Sequence, residues 1–231
     1  MGIVITIDGG AGTGTTALSR KVADALGQSP LNSGHYFRGL AWECIEVGII
    51  IDPSTGLLEG TEKNVTQIAS TIQFTVKDGS VVEINGQPIE ESVLARMSPY
   101  VAHVSHIPEV RPFIRHHQQA YAAQYPCIIA EGRDLGTVVF PDAIRKIFLV
   151  CQDEERARRR SNHEGRRVTV AELLERDRLD AERDCSPMVP HRHAMVIDTT
   201  HTDVPTLAHN VIVSLVGVPA ATQYITDYLA K

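Results

Sequence analysis

The amino-acid sequence predicts an α/β fold, in which a parallel five-stranded sheet is covered by helices on both faces. Short apolar, β-branched runs alternate along the chain with longer amphipathic stretches, which is typical of parallel strands joined by helices. The first run, residues 3–7, passes directly into a glycine-rich loop and then into an amphipathic stretch. The 231 residues are enough for one substantial core with a small inserted subdomain.

The composition limits the classes of partner. A hydrophobic content of 43% and a charged content of 22% are ordinary for a globular protein, and the net charge of -6 argues against a general nucleic-acid-binding surface. No apolar run approaches the ~20 residues of a membrane span, and no signal peptide precedes the first run. The four cysteines lack C-x-x-C spacing and are interpreted as reduced thiols. We therefore expect a cytoplasmic monomer with small-molecule partners, and neither a nucleic acid nor a membrane.

Local signals predict the elements at the start of the chain. Residues 17–26 form an amphipathic helix that Gly27 ends, and residues 29–32 form a short second strand. Ser33 is a candidate N-cap for the next helix. Residues 48–60 are rich in turn formers and are expected to be loop.

Residues 61–110 differ in character from the rest of the chain and are interpreted as an insertion. A helix over 61–71 is followed by two stretches that alternate apolar and polar residues, 72–76 and 81–84, with a turn signal after each. This pattern predicts a small antiparallel sheet. The core is then expected to comprise residues 1–32 and 111–231, and a second region residues 33–110.

The alternation of strands and helices resumes after the insertion. The pattern predicts, in order, a helix over 110–124, strands over 127–130 and 144–150, a basic helix over 154–160, a charged helix over 170–183, a last strand over 194–199 and a C-terminal helix. Residues 216–231 form either one more packed helix, over 220–230, or a contact surface. The carboxyl ends of parallel strands meet at one edge of a sheet, where ligands bind. This edge is expected to carry Thr6–Asp8, Glu131–Asp134 and Thr199–Thr200.

The glycine-rich loop has the strand and helix context of a phosphate-binding loop. It comprises Gly9, Gly10, Ala11, Gly12, Thr13, Gly14, Thr15 and Thr16. Gly9, Gly14 and Thr16 occupy the spacing of the motif G-x-x-x-x-G-K-[ST]. Backbone N–H groups of such a loop cradle phosphate oxygens, and the Thr16 hydroxyl would bind Mg²⁺. The alternative is a glycine-rich turn without a ligand.

Thr15 stands where this motif has lysine. The change removes a positive charge that would contact the β- and γ-phosphates of a bound nucleotide. Either another cation supplies the charge, or turnover is slow, or the loop binds a nucleotide without catalysis.

Two groups of charged residues follow in the second half of the chain. Six arginines lie between residues 156 and 167, and they suit a lid over about 154–168 that closes on a nucleotide. A nucleic-acid-binding patch and an exposed basic helix are the alternatives for this cluster. Arg176, Asp180 and Arg183 share one helix face, a pattern that in isolation favours solvated ion pairs.

A third group, Glu131–Asp134, follows a predicted buried strand. Arg133 suits a phosphate clamp, and the carboxylate of Asp134 suits an exocyclic amine such as N4 of cytosine. Glu131 would hold Mg²⁺ through water or pair with a nearby arginine. The histidines show no convincing metal-ligand pattern.

Taken together, these motifs make the chain resemble the bacterial cytidylate kinases, a family of P-loop nucleoside monophosphate kinases. The resemblance covers residues 3–216. The similarity is carried by residues 7–14, 33–38, 108–111, 131–143, 146–149, 154–160 and 175–183. Residues 131–143 (EGRDLGTVVFPDA) are close to the family's most distinctive signature. The resemblance implies the P-loop nucleoside monophosphate kinase fold, with a monophosphate-binding region at 33–110. It also implies transfer of the γ-phosphoryl group of ATP, with Mg²⁺, to CMP or dCMP in pyrimidine metabolism.

The resemblance also implies roles for matching residues. Ser33, Arg111 and Asp134 would contact the cytosine, and Arg38, Arg133 and Arg183 would contact the acceptor phosphate. Arg176 and Asp180 would contact the sugar. Residues 9–16 would bind the donor. Arg156 and Arg160 of the lid would approach the donor phosphates. The catalytic positions are then Arg133, Arg156, Arg160 and Thr15, and positioning with charge neutralisation supplies most of the catalysis.

Four positions depart from the family's pattern, namely Thr15 for Lys, Phe37 for Tyr, Ala102 for Ser and Glu131 for Asp. A Thr-Thr pair at residues 15–16 resembles archaeal cytidylate kinases. Loss of the serine hydrogen bond at position 102, worth roughly 0.5–1.5 kcal/mol, leaves Asp134 and Arg111 to dominate the choice of base. Two alternatives stay open: a kinase for a modified cytidine monophosphate, motivated by Ala102, and a nucleotide-binding pseudokinase, motivated by Thr15.

Overall fold

The structure, a computed structural model, describes residues 2–49, 51–52 and 55–229. Its elements in chain order are β1 (Ile3–Gly9), α1 (Thr15–Leu26), β2 (Ser29–Asn32), α2 (Ser33–Glu46), β3 (Ile51–Asp52), β4 (Gly56–Leu57), α3 (Glu62–Thr71), β5 (Phe74–Lys77), β6 (Ser80–Ile84), β7 (Gln87–Pro88), α4 (Glu91–Arg96), α5 (Val101–Ser105), α6 (Arg111–Ala122), β8 (Cys127–Gly132), β9 (Arg145–Val150), α7 (Asp153–Glu164), α8 (Val170–Ala181), β10 (Met195–Asp198), α9 (Val204–Val213) and α10 (Thr222–Leu229). A π-helical turn covers Leu135–Val139, and 3-10 turns cover Ser98–Tyr100, Pro108–Val110 and Pro219–Ala221.

The chain divides into two units, residues 1–31 with 122–231 and residues 32–121. The first unit is built on a five-stranded parallel sheet with the strand order β10-β9-β1-β8-β2, which confirms the predicted fold class. Strand β1 lies between β8 and β9, where Asp8 pairs with Gly132 and Gly9 pairs with Leu149. The carboxyl ends of these three strands therefore lie side by side. Strand β8 is buried throughout, which explains why its sequence is continuously apolar before Glu131.

Helices α1, α9 and α10 flank this sheet. Leu18, Val22 and Leu26 recur at the helical spacing on α1 and are buried in the main core, together with apolar residues of α9. Tyr224 and Tyr228 of α10 pack against the same core. The described part of the C-terminal tail is therefore one more packed helix. Ala230, at the end of its predicted range, lies outside the described residues.

The second unit contains the predicted antiparallel insertion. Strands β5, β6 and β7 form a three-stranded antiparallel sheet, and Asp78–Gly79 and Asn85–Gly86 make its turns with positive φ angles. The stretch predicted as loop, 48–60, includes the short antiparallel pair β3–β4. Ile50, Pro53 and Ser54 of that stretch lie outside the described residues.

The second unit extends to Tyr121, whereas the sequence pattern placed the end of this region at residue 110. The reason is that α6 is bonded into this unit. The side-chain amide of Gln118 donates a hydrogen bond to the hydroxyl of Ser33 (2.9 Å), and the hydroxyl of Tyr121 accepts one from the buried N–H of Gly79 (3.0 Å).

Two predicted helix boundaries are wrong by a few residues. Helix α2 begins at Ser33, so its N-cap residue is Asn32, which is in the extended conformation, and not Ser33. The basic helix α7 continues to Glu164 and ends at Gly165, whose φ of 64° suits the left-handed cap. The loop between α7 and α8 is therefore shorter than the sequence indicates.

Among the described residues, no helix has the length and apolar character needed to cross a membrane.

Replacing Tyr121 with phenylalanine tests the bond between α6 and the β5–β6 turn. The change leaves the buried N–H of Gly79 without this acceptor, so we expect the free energy of unfolding to fall by about 1–3 kcal/mol. Urea unfolding followed by the fluorescence of Trp42, the single tryptophan, measures this effect because Trp42 lies in α2 of the same unit. A change smaller than about 0.5 kcal/mol, which is ordinary for a surface substitution, would show that the bond is unimportant.

Candidate active site

Donors from four separate positions bind the carbonyl oxygens of the glycine-rich loop. Arg133 Nη1 donates to Gly9 O (2.6 Å), Thr13 Oγ1 to Gly10 O (2.8 Å), Arg156 Nε to Ala11 O (2.8 Å) and Thr199 Oγ1 to Thr13 O (2.8 Å). Carbonyl oxygens repel an anion, whereas successive backbone N–H groups attract one. These four carbonyl oxygens of the loop are therefore bonded within the unit.

Two glycines permit the path of this loop. Gly12 has a φ of 81° and Gly14 a φ of 100°, a left-handed region that favours glycine. A Cβ atom on Gly12 would also lie 2.8 Å from the carbonyl oxygen of Arg156. Thr15 follows as the first residue of α1 and is only 7% exposed. A short, buried hydroxyl side chain therefore occupies the lysine position of the motif.

Thr16 and Glu131 form a pair of oxygen ligands beside the loop. Thr16 Oγ1 donates a hydrogen bond to Glu131 Oε1 (2.9 Å), and Glu131 is buried in β8. Mg²⁺ prefers such oxygens and is commonly held by one or two protein side chains together with the phosphates of a nucleotide. The donor set therefore fits Mg²⁺. Within the described residues, no group of three or more His, Cys, Asp or Glu side chains is arranged to hold a metal ion by itself.

Asp8 connects the end of β1 to the segment that follows β8. Its Oδ1 and Oδ2 atoms accept hydrogen bonds from the N–H groups of Leu135 (3.0 Å) and Gly136 (2.8 Å). Burial raises the pKa of Asp8 from 3.8 to about 7, although the two N–H donors favour the charged form; the nearby carboxylate of Asp134 adds to the rise. This contact fixes the position of Arg133 and Asp134 relative to the loop.

Arg133, Asp180 and Arg183 form a cluster of charges, in which Asp180 and Arg183 are buried and Arg133 is partly exposed. Asp180 accepts hydrogen bonds from Arg133 Nε (3.1 Å) and from Arg183 Nη2. Burial by itself would raise the pKa of Asp180, but the positive charges of Arg133, Arg183 and Arg176 outweigh it and lower the pKa. Asp180 is 4% exposed and Arg183 is 8% exposed. Asp180 and Arg183 are therefore buried, unlike residues of the solvated ion-pair face that was the alternative for this pattern.

The two lid arginines assigned to the donor phosphates bond to protein groups. Arg156 is buried and donates to Ala11 O, Asp153 and Asp177, so it holds the loop and helices α7 and α8 together. Arg160 pairs with Glu164 one turn further along α7. The structure therefore places Arg156 at the loop, whereas Arg160 is bonded within its own helix.

Asp177 of α8 also contacts the loop. Its Oδ1 atom accepts a long hydrogen bond from the N–H of Ala11 (3.4 Å), and its Oδ2 atom accepts one from Arg156. A carboxylate thus lies against one N–H group of the loop.

The second unit holds the other predicted substrate-binding residues, Ser33, Arg38 and Arg111. Arg111 Nη1 donates to Ser105 O (2.8 Å), and its guanidinium carbon lies 5.2 Å from the centroid of the Phe37 ring. Phenylalanine therefore serves as the aromatic platform for this arginine. Arg38 lies in α2, with its guanidinium close to Gly34.

Sequence reasoning assigned no role to Asp8, Asp177 or Thr199. Asp8 carried a usable signal, because an ionisable residue interrupts an otherwise apolar strand immediately before the loop. Thr199 was placed at the correct edge of the sheet. Nothing local distinguishes Asp177 from the other acidic residues of its charged helix.

Comparison with known proteins finds similarity to cytidylate kinases, both with a family profile and with individual proteins. A family profile described as cytidylate kinase matches residues 5–216. The chain is 35% identical over 214 residues to the cytidylate kinase of Shewanella piezotolerans, covering 87% of this chain and 89% of that protein. It is 35% identical over 202 residues to the cytidylate kinase of Bdellovibrio bacteriovorus, covering 87% of this chain and 91% of that protein.

The pH dependence of stability tests the protonation of Asp8. Between pH 4 and pH 7 the unfolded chain ionises this carboxyl group while the folded chain retains the proton, so the free energy of unfolding falls as pH rises. The full effect amounts to roughly 4 kcal/mol at most. In Asp8→Asn this part of the fall is absent.

Urea unfolding of both proteins at several pH values between 4 and 8 measures the effect. We expect the stability of the wild type relative to Asp8→Asn to decrease from pH 4 to pH 7 and then to level off. A difference that stays constant with pH, or that increases, would show that Asp8 is ionised throughout this range.

Proposed function

The chain belongs to the cytidylate kinase family, and from this premise we propose that it transfers the γ-phosphoryl group of ATP to CMP or dCMP, forming ADP and CDP or dCDP. One observation supports this most directly. Arg133 donates to the loop at Gly9 and to Asp180 of the arginine cluster. The group that would bind the donor phosphates and the group that would bind the acceptor phosphate are therefore joined by one side chain.

On the donor side, residues 9–16 would bind the phosphates of ATP through backbone N–H groups. Thr16 and Glu131 would hold Mg²⁺, directly or through water. Magnesium held there would supply positive charge that offsets part of the negative charge of the donor phosphates. Arg156 and Arg160 would reach these phosphates only by exchanging their carboxylate partners for the nucleotide.

On the acceptor side, Arg133, Arg183 and Arg38 would bind the phosphate of CMP, since guanidinium groups suit bidentate contacts with phosphate. Arg176 and Asp180 would contact the sugar. Asp180 has a further effect, because it fixes the guanidinium groups of Arg133 and Arg183 before substrate arrives. Such preorganisation lowers the cost of ordering these side chains during the reaction.

Asp134, Arg111 and Ser33 would recognise the cytosine. The carboxylate of Asp134 would accept a hydrogen bond from the exocyclic amine, which uracil lacks. Arg111 is supported for this contact by Ser105 and Phe37. We therefore expect CMP to be preferred to UMP, although Ala102 offers no side-chain hydroxyl beside the base.

No general base is required in this scheme. The attacking atom is an oxygen of the CMP phosphate, which is already anionic, so the chain has to align it with the γ-phosphorus and stabilise the charge.

The enzyme would act as a cytoplasmic monomer in pyrimidine metabolism. Its four cysteines are free thiols, which suits a reducing compartment.

The substitution Arg133→Ala tests the proposed function. It removes a cation from the acceptor site and one of the donors that hold the loop, so we expect kcat/KM for CMP to fall at least 100-fold. A coupled assay of ADP formation with ATP, Mg²⁺ and CMP measures this, and parallel assays with dCMP, UMP and 5-substituted CMPs define the acceptor. Arg178→Ala is the matched control, because Arg178 is exposed on α8 and pairs only with Glu175 and Glu182 among the described residues.

The wild-type assay separates the remaining readings of the sequence. Turnover with CMP would eliminate the pseudokinase. Turnover with only a 5-substituted CMP would identify a kinase for a modified cytidine monophosphate. Absence of turnover with every pyrimidine monophosphate would refute the kinase proposal.

A further inference from the structure

The loop lacks the positive charge that a lysine at position 15 would supply, so efficient transfer would call for another cation beside the donor phosphates. Three arginines of the first unit are committed elsewhere. Arg133 is bonded to Gly9 O and Asp180. Arg156 and Arg160 are paired with carboxylates, as described above.

Arg159 is placed differently from these residues. Its Nη1 and Nη2 groups donate to the hydroxyl (3.0 Å) and carbonyl (2.7 Å) oxygens of Thr199, which follows β10 at the ligand-binding edge of the sheet. The same Thr199 hydroxyl donates to Thr13 O of the loop (2.8 Å). One threonine therefore connects the guanidinium of Arg159 to the phosphate loop.

The guanidinium of Arg159 also lies directly beside the loop. Its Nη1 atom is 4.0 Å from the position that a Cβ atom on Gly14 would occupy. Gly14 immediately precedes Thr15, so the charge of Arg159 lies next to the position at which the motif has lysine. Within the described residues, Thr199 Oγ1 is the only acceptor bonded to Nη1, which carries two N–H groups and so retains one for a ligand.

The charge of Arg159 is only partly compensated. Its Nε atom donates to Glu155 Oε1 (2.8 Å), but Arg158 binds both oxygens of the same carboxylate at 2.6 and 2.7 Å. Hydrogen bonds from Arg158, followed by those from Arg159, lower the pKa of Glu155 to about 2. The three side chains thus carry a net charge of one positive unit.

We propose that Arg159 is a catalytic residue that contacts the β- and γ-phosphates of the donor and replaces the lysine absent at position 15. This inference rests on the proposed kinase function. During transfer the bond between the γ-phosphorus and the β,γ-bridging oxygen breaks, a bond to an oxygen of CMP forms, and negative charge accumulates on the β-phosphate of ADP. A guanidinium beside Gly14 stabilises that charge.

The experiment is a cycle of four proteins: wild type, Arg159→Gln, Thr15→Lys and the double variant. We expect Arg159→Gln to lower kcat about 100-fold or more, as for other groups that stabilise transition-state charge. Thr15→Lys in the Arg159→Gln background returns a cation to the loop and is expected to raise kcat at least tenfold. Thr15→Lys in the wild type adds a second cation beside the first, and we expect kcat to change by less than about threefold or to fall.

Two further measurements separate this role from a structural one, because Arg159 also bonds to Thr199. Calorimetric titration with inorganic tripolyphosphate reports the phosphate site without the base or the reaction, and we expect at least tenfold weaker binding in Arg159→Gln. Thermal unfolding reports the fold. Arg178→Gln removes an equal charge from an exposed position of the same unit and is expected to leave both kcat and tripolyphosphate affinity unchanged.

Three results would overturn the proposal. The first is a kcat of Arg159→Gln within threefold of wild type. The second is a fall in kcat accompanied by a lower midpoint of thermal unfolding and unchanged tripolyphosphate affinity. The third is failure of Thr15→Lys to raise the kcat of Arg159→Gln. In all three the wild type turns over CMP, so they are distinct from failure of the kinase proposal, in which the wild type itself is inactive.

Discussion

A phosphate-binding loop without its lysine depends on one constraint above all, which is that its carbonyl oxygens must be kept away from the anion. In this chain four carbonyl oxygens in the stretch Gly9–Thr13 are bonded to side chains. Thr13 lies in the loop itself, and the other three donors come from distant parts of the sequence: Arg133 follows β8, Arg156 lies in α7 and Thr199 follows β10. The loop geometry is therefore a property of the whole first unit and reflects the alignment of three strand ends at one edge of the sheet.

Two carboxylates, the buried Asp180 and the partly buried Asp177, orient the arginines of the site. Asp180 bonds Arg133 and Arg183, and Asp177 bonds Arg156. An unpaired charge in these positions would be costly, whereas a bonded pair is tolerated and holds the guanidinium in one direction. The consequence is that these cations are ordered without a ligand. It also means that the number of arginines near the loop overstates the charge available to a nucleotide, since most of it is already matched.

In the role proposed for Arg159, the charge of one position compensates for the lysine missing at another, Thr15. A lysine on the loop carries its charge on a flexible stem, and Arg159 holds its charge on a helix and is anchored by Thr199 and Glu155. Asp8 has a comparable function in positioning, because it joins β1 to the turn after β8 through two backbone N–H groups. Both arrangements use a side chain near the sheet edge to fix the relation between two segments that each carry site residues.

The sequence by itself determined the class of fold, the five parallel strands, the glycine-rich loop and the small antiparallel sheet. These features depend on local properties, namely the period of apolar residues and the positions of glycine, asparagine and proline. The sequence also identified most of the candidate site residues, because the motif Glu131–Asp134 is contiguous and the arginines of α7 and α8 are contiguous or regularly spaced.

Only the tertiary structure decided which partner each charged side chain has. Arg156, Arg159 and Arg160 belong to the same short stretch of α7 and look equivalent in the sequence, yet they bond to Ala11, Thr199 and Glu164 respectively. Two of these contacts join residues at least 40 positions apart. Their formation depends on how α7 packs against the strand ends, and that packing is set by the core of the whole unit. The burial that raises the pKa of Asp8 has the same origin, since a strand's neighbours, and not its own residues, remove it from water.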